Sequence, residues 1–149
     1  MKLVAGVFVA RCESIRFVPH AVEIIDGAIS WIPLKYGGID GLPQILWENG
    51  DPWREANIWL LDRGRKKDIQ TVQSNARPLH AYAQWLESTK DSSRPVEWWE
   101  FPADEAERCL FRYCGFLIRE IDAGTLAPST ASTRMRDASN FIDGSMRTA

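Results

Sequence analysis

The residues best suited to chemistry in this chain stand at two helix starts. In "LAPSTASTRMRDASNF", residues 126–141, Ser129, Thr130, Ser132 and Thr133 crowd ahead of Arg134 and Arg136. "KKDIQTVQSNAR", residues 66–77, repeats the design with Lys66 and Lys67 in front of Thr71, Gln73, Ser74 and Arg77. The first N–H groups of a helix have no intrahelical partner and carry the positive end of its dipole, so they favour anions. Short hydroxyls and amides let a phosphate come close, and Arg reaches it from further away. Capping explains one hydroxyl at such a position, whereas the later stretch brings several together.

Other chemistries have less behind them. His20 and His80 are the two histidines, and neither stands at metal-ligand spacing from an acid or Cys. Cys12, Cys109 and Cys114 are odd in number and fit no zinc pattern, so they read as reduced thiols, with Cys109 and Cys114 buried on a helix. "YGGIDG" lacks the Lys and Ser/Thr of a phosphate loop. No metal and no cofactor is expected.

The elements that must position these residues follow from composition and pattern. A chain of 149 residues, 45% hydrophobic and with seven Trp, can bury a core of ordinary domain size. The 18 Lys+Arg against 20 Asp+Glu give a net charge of −2, so an anionic partner must be met by a local patch. Residues 52–149 carry 14 basic and 14 acidic residues, so a patch requires the acids to gather elsewhere. No run reaches the roughly 18 apolar residues of a membrane-spanning helix, and the apolar start reads as a strand over residues 3–10, so a cytoplasmic protein is expected.

Two or three strands are expected within residues 3–33, because Asp26-Gly27 between β-rich runs is a hairpin signal. Residues 33–52, rich in Gly and Pro, read as an irregular connector. Asp51 and Pro52 then suit the cap and first position of a helix ending at Gly64. A second helix carries Val72, Ala76, Leu79, Tyr82, Ala83 and Leu86 on one side and Gln73, Arg77, His80 and Gln84 on the other, with a kink or restart at Pro78. A third spans about 103–122, with Arg108, Arg112 and Arg119 on its outer side, and a fourth is capped by Ser129 with Ala131, Met135, Ala138 and Phe141 inward.

"TVQSNARPLHAYAQWLE" followed by "RYCGFLIREIDAGTLAPSTASTRMRDASNF" resembles the N-terminal core-binding domain of tyrosine site-specific recombinases, the phage integrase family. The likeness covers residues 52–141 and rests on spaced residues, above all the "G.L.PST....M.A...F" pattern. It implies a mainly α fold, a four-helix SAM-like bundle over residues 51–149, preceded by a small β-hairpin-containing segment over residues 1–50. It also implies a clamp on duplex DNA serving site-specific recombination or integration. Carried over by position, Lys66, Lys67, Thr71, Gln73, Ser74, Arg77, Ser129, Thr130, Thr133 and Arg134 become the DNA contacts.

The family's cutting apparatus needs an H-x-x-R motif and a nucleophilic Tyr beyond this domain. Here His20 leads to Glu23 and His80 to Ala83, and only "IDGSMRTA" follows Phe141. The chain as given is expected to bind DNA without catalysis. Its expected partners are duplex DNA and other recombinase protomers, with no membrane and no small-molecule substrate. The alternative is a protein-interaction module presenting Trp31, Trp47, Trp98 and Trp99.

Overall fold

Asp26 and Gly27 make the expected hairpin turn, both at positive φ (53° and 80°), which Gly adopts freely and Asp tolerates. The structure, a computed structural model, describes residues 9–147, with side chains through Ser145. Its elements in chain order are β1 (Arg11–Phe17), β2 (His20–Ile25), β3 (Ala28–Pro33), β4 (Ile39–Leu46), α1 (Arg54–Lys66), α2 (Ile69–Ser88), α3 (Cys109–Asp122) and α4 (Pro128–Arg147). The strand expected over residues 3–10 lies outside the described residues except for Val9 and Ala10, which precede β1.

The strands form two antiparallel pairs, β1 with β4 and β2 with β3. Leu34 N donates to Pro19 O at 2.8 Å where one pair passes into the other, so a single ribbon runs out and back. Its near half packs on α1 and α2 through β4, whose Leu42 and Ile45 are fully buried. In its far half β2 and β3 contact chiefly each other. There Val22 lies opposite Trp31 and Ile24 opposite Ile29 on one face, and all four are more than half exposed.

This corrects the mainly α expectation and its free-standing four-helix bundle. The four helices come with four antiparallel strands, about half of the chain being helical and a fifth strand. The physical reason is β4, which occupies the stretch read as irregular connector. Gly41 takes φ +75°, and Pro43 lies opposite Ser14 in a two-stranded sheet whose outer edge needs no donor from it. Both residues look like strand breakers, yet Leu42 and Ile45 enclose one side of the core.

The helices also differ at their ends. Pro52 bridges to Leu46, and Trp53 N donates to Ile45 O at 2.9 Å, so α1 starts only at Arg54 and then runs through Gly64 to Lys66. α2 continues through Pro78 as one helix, with no restart. Residues before α3 are loop with a 3-10 turn at Glu105–Glu107, because Arg108 is extended (ψ 147°) and delays the helix to Cys109. α4 starts at Pro128 with Ala127 O accepting from Ala131 N at 3.0 Å, so Ser129 sits inside the first turn instead of capping it.

The core is aromatic. Trp53, Tyr82, Tyr113 and Phe141 are fully buried, and Trp53 joins α1 to α4 and α2 through Phe141 (5.1 Å between centroids) and Tyr82 (6.2 Å). Tyr82 in turn meets Tyr113 of α3 at 4.7 Å. Each ring removes about 150–250 Å² from water, which makes this chain of contacts the main tie between the helices.

Candidate nucleic-acid interface

The opening of α2 is held from two directions. Asp68 caps it, accepting from Thr71 N at 2.8 Å, and that bond holds the Asp68 carboxyl below the usual carboxylate range. A negative charge belonging to the chain thus already sits at this helix start. Gln73 Nε2 donates to Gly41 O at 3.0 Å, and a Cβ on Gly41 would come within 3.0 Å of the same atom. Gln73 is therefore a strut between α2 and β4. Thr71 is half-buried, whereas Ser74 and Arg77 are exposed and make no side-chain hydrogen bond or ion pair among the described residues. In the preceding corner Lys66 pairs with Asp62 at 3.0 Å, and Lys67 is exposed with no side-chain partner among the described residues.

The opening of α4 is less encumbered. Its first turn holds no acidic residue, and Ser129, Thr130 and Ser132 are exposed with no side-chain partner among the described residues. Thr133 and Arg134 are half-buried. Burial pushes the Tyr113 hydroxyl up to about 12, and the nearby Arg134 charge opposes that rise. Arg136 lies against Asp137 at 3.2 Å.

The two groups lie toward different ends of α2. Gln73 ties one to β4, while Arg134 stands by Tyr113, whose ring packs on Tyr82 and Trp85 at 4.7 and 4.9 Å. From Thr71 to Trp85 is about 21 Å along the axis at about 1.5 Å per residue. α2 and α4 pack together, and no hydrogen bond or ion pair among the described residues joins the two sets.

The polar side of α2 is where the ribbon docks. His80 Nε2 is 2.7 Å from Ala10 O, and the buried Glu87 accepts from Glu48 N at 2.7 Å. Burial raises the Glu87 carboxyl above its ordinary value, the Glu48 N–H working against that. Asn57 of α1 does the same for β4, exchanging two hydrogen bonds with the Ile45 backbone. Sequence reasoning missed Asn57 and Glu87, whose only signal was a polar residue interrupting an otherwise apolar face.

The remaining candidates divide. Trp31 and Trp99 are exposed, whereas Trp47 and Trp98 pack against the core. Cys12, Cys109 and Cys114 are free thiols, and only Cys109 is fully buried. Among the described residues there is no group of three or more His, Cys, Asp or Glu that could hold a metal, and no helix long and apolar enough to cross a membrane.

No protein-family model matches this chain, and no curated protein or solved structure shows significant similarity to it.

Proposed function

We propose that this chain holds duplex DNA as an integrase-like clamp in the cytoplasm, and that it does not itself cut the strands. The observation that carries the reading is the start of α4, an acid-free helix N-terminus with Ser129, Thr130 and Ser132 exposed and unpartnered and Arg134 one turn on. Such a surface suits a phosphate and offers no complement to an apolar partner. Lys67, Ser74 and Arg77 supply a second contact zone, with Lys66 and Thr71 beside them. Gln73 is assigned to the β4 contact. The two zones stand on different helices, α2 and α4, and each offers its own contacts to phosphate. Binding is then phosphate-directed and salt-sensitive. Titration of a labelled duplex at two salt concentrations, with the Arg134→Glu variant beside the wild type, tests it.

The alternative is a protein-interaction module, favoured by the apolar face of Val22, Ile24, Ile29 and Trp31 on a ribbon that no described helix covers. The simplest occupant is the same face of a second copy, since an apolar face of this kind is complementary to itself. Light scattering decides: a dimer abolished by Ile24→Glu supports this reading, and a monomer at all concentrations removes it.

A further inference from the structure

A pocket of about 530 Å³ lies between the end of α2, the loop after it and the outer side of α3, and three guanidinium groups line it. Arg94 is neutralised by an ion pair with Glu107. Arg112 donates from Nη2 to Arg94 O at 2.7 Å, which fixes it at the pocket wall while most of its donors remain available. Arg119 makes no hydrogen bond or ion pair among the described residues. Its Nη1 lies 3.4 Å from the point a Cβ on Gly115 would occupy, so the guanidinium folds back along α3 over Gly115, and both residues line the pocket. With Glu107 matched to Arg94, the lining keeps two uncompensated positive charges. The hydroxyls of Ser88, Thr89 and Ser92 donate to the carbonyls of Trp85, Leu86 and Thr89, so the donors left for a guest are the guanidinium groups.

Beside these cations stands aromatic surface. Phe111 lines the same pocket and is 57% exposed, and the buried Trp85 lines it too. Paired Arg donors recognise the several oxygens of a phosphate, and an exposed ring accepts a flat base by stacking. We propose that this pocket binds a nucleotide phosphate, held by Arg112 and Arg119, with its base against Phe111. The phosphate has two sources, a free nucleotide or the backbone of a nucleic-acid strand. The inference stands apart from the duplex clamp, whose residues lie on α2 and α4.

The test measures binding of AMP, adenosine and inorganic phosphate to the full chain at low ionic strength, with a duplex titration in parallel. For a free nucleotide, AMP binds, phosphate displaces it, adenosine does not bind, and Arg119→Gln weakens AMP by about tenfold with an unchanged unfolding midpoint. For a backbone phosphate, AMP binding is absent, but Arg119→Gln weakens the duplex while Lys35→Gln, an exposed charge on the ribbon, leaves it unchanged. Equal binding of adenosine and AMP overturns the proposal, as does AMP binding unaffected by Arg119→Gln. So does the absence of AMP and phosphate binding together with duplex binding insensitive to Arg119. If Arg119→Gln lowers the unfolding midpoint, Arg119→Lys replaces it, with the same criteria.

Discussion

Asn57 completes the edge of β4. Its Oδ1 accepts from Ile45 N at 2.7 Å and its Nδ2 donates to Ile45 O at 3.1 Å, so the side-chain amide stands where a neighbouring strand would. The contact is buried and fixes α1 to the sheet. Asn57→Leu leaves Ile45 N without its acceptor, at about 1–3 kcal/mol for a buried group, while Ile45 O keeps the Trp53 N–H. Urea denaturation should show a loss of at least about 1 kcal/mol, and a loss below about 0.5 kcal/mol would contradict the role.

Gln73 and Arg77 share α2 but are given different tasks. Gln73→Ala removes the bond to Gly41 and should cost about 1 kcal/mol of stability, with duplex affinity unchanged. Arg77→Ala should leave stability within about 0.5 kcal/mol, as usual for an exposed position, and weaken the duplex. Paired denaturation and binding curves check both, and the reverse pattern would restore Gln73 to the interface.

Glu87 gives a pH signature. Its folded carboxyl is raised by burial above the ordinary value of 4.5, so its contribution to stability is fully present below that value and is lost as pH rises through the raised one. Glu87→Gln keeps an acceptor for Glu48 N and removes the buried charge. The variant should therefore gain on the wild type at neutral pH, and the gain should vanish in acid. A gain independent of pH would show that the charge is not the cause.

The outer ribbon carries little of the fold. Trp31 is 66% exposed and lies opposite Val22 in the β2–β3 ladder. Trp31→Ser should change stability by no more than about 0.5 kcal/mol, measured by thermal unfolding, whereas Phe141→Ala in the aromatic core should cost about 3–5 kcal/mol. Similar losses from the two would mean that the ribbon packs on the body.

Local chemistry made much of this architecture legible. Asp26-Gly27 announced its hairpin through backbone freedom, and the apolar spacing of Val72, Leu79, Tyr82 and Leu86 announced α2. What stayed hidden depended on distant partners. Gly41 and Pro43 read as breakers until β1 supplies the ladder and α2 the cover. Gln73 read as a DNA contact and Glu87 was missed, because nothing local shows that the Gly41 carbonyl and the Glu48 N–H come to meet them. Ser129 read as a cap because its type suits that position, although Pro128 moves the helix start forward by fixing the first turn. The gathering of Arg112 and Arg119 was visible in their helical spacing, and the pocket that gives it meaning needed the loop carrying Arg94.

The central claim rests on Arg134 and the start of α4, and fluorescence anisotropy of a labelled duplex tests it most directly. With about three phosphate contacts, affinity should fall about 40-fold between about 50 and about 200 mM salt. Arg134→Glu should abolish binding at the lower salt while its unfolding midpoint stays that of the wild type. Absence of wild-type binding at about 50 mM salt, or equal binding by a folded Arg134→Glu variant, would contradict the account.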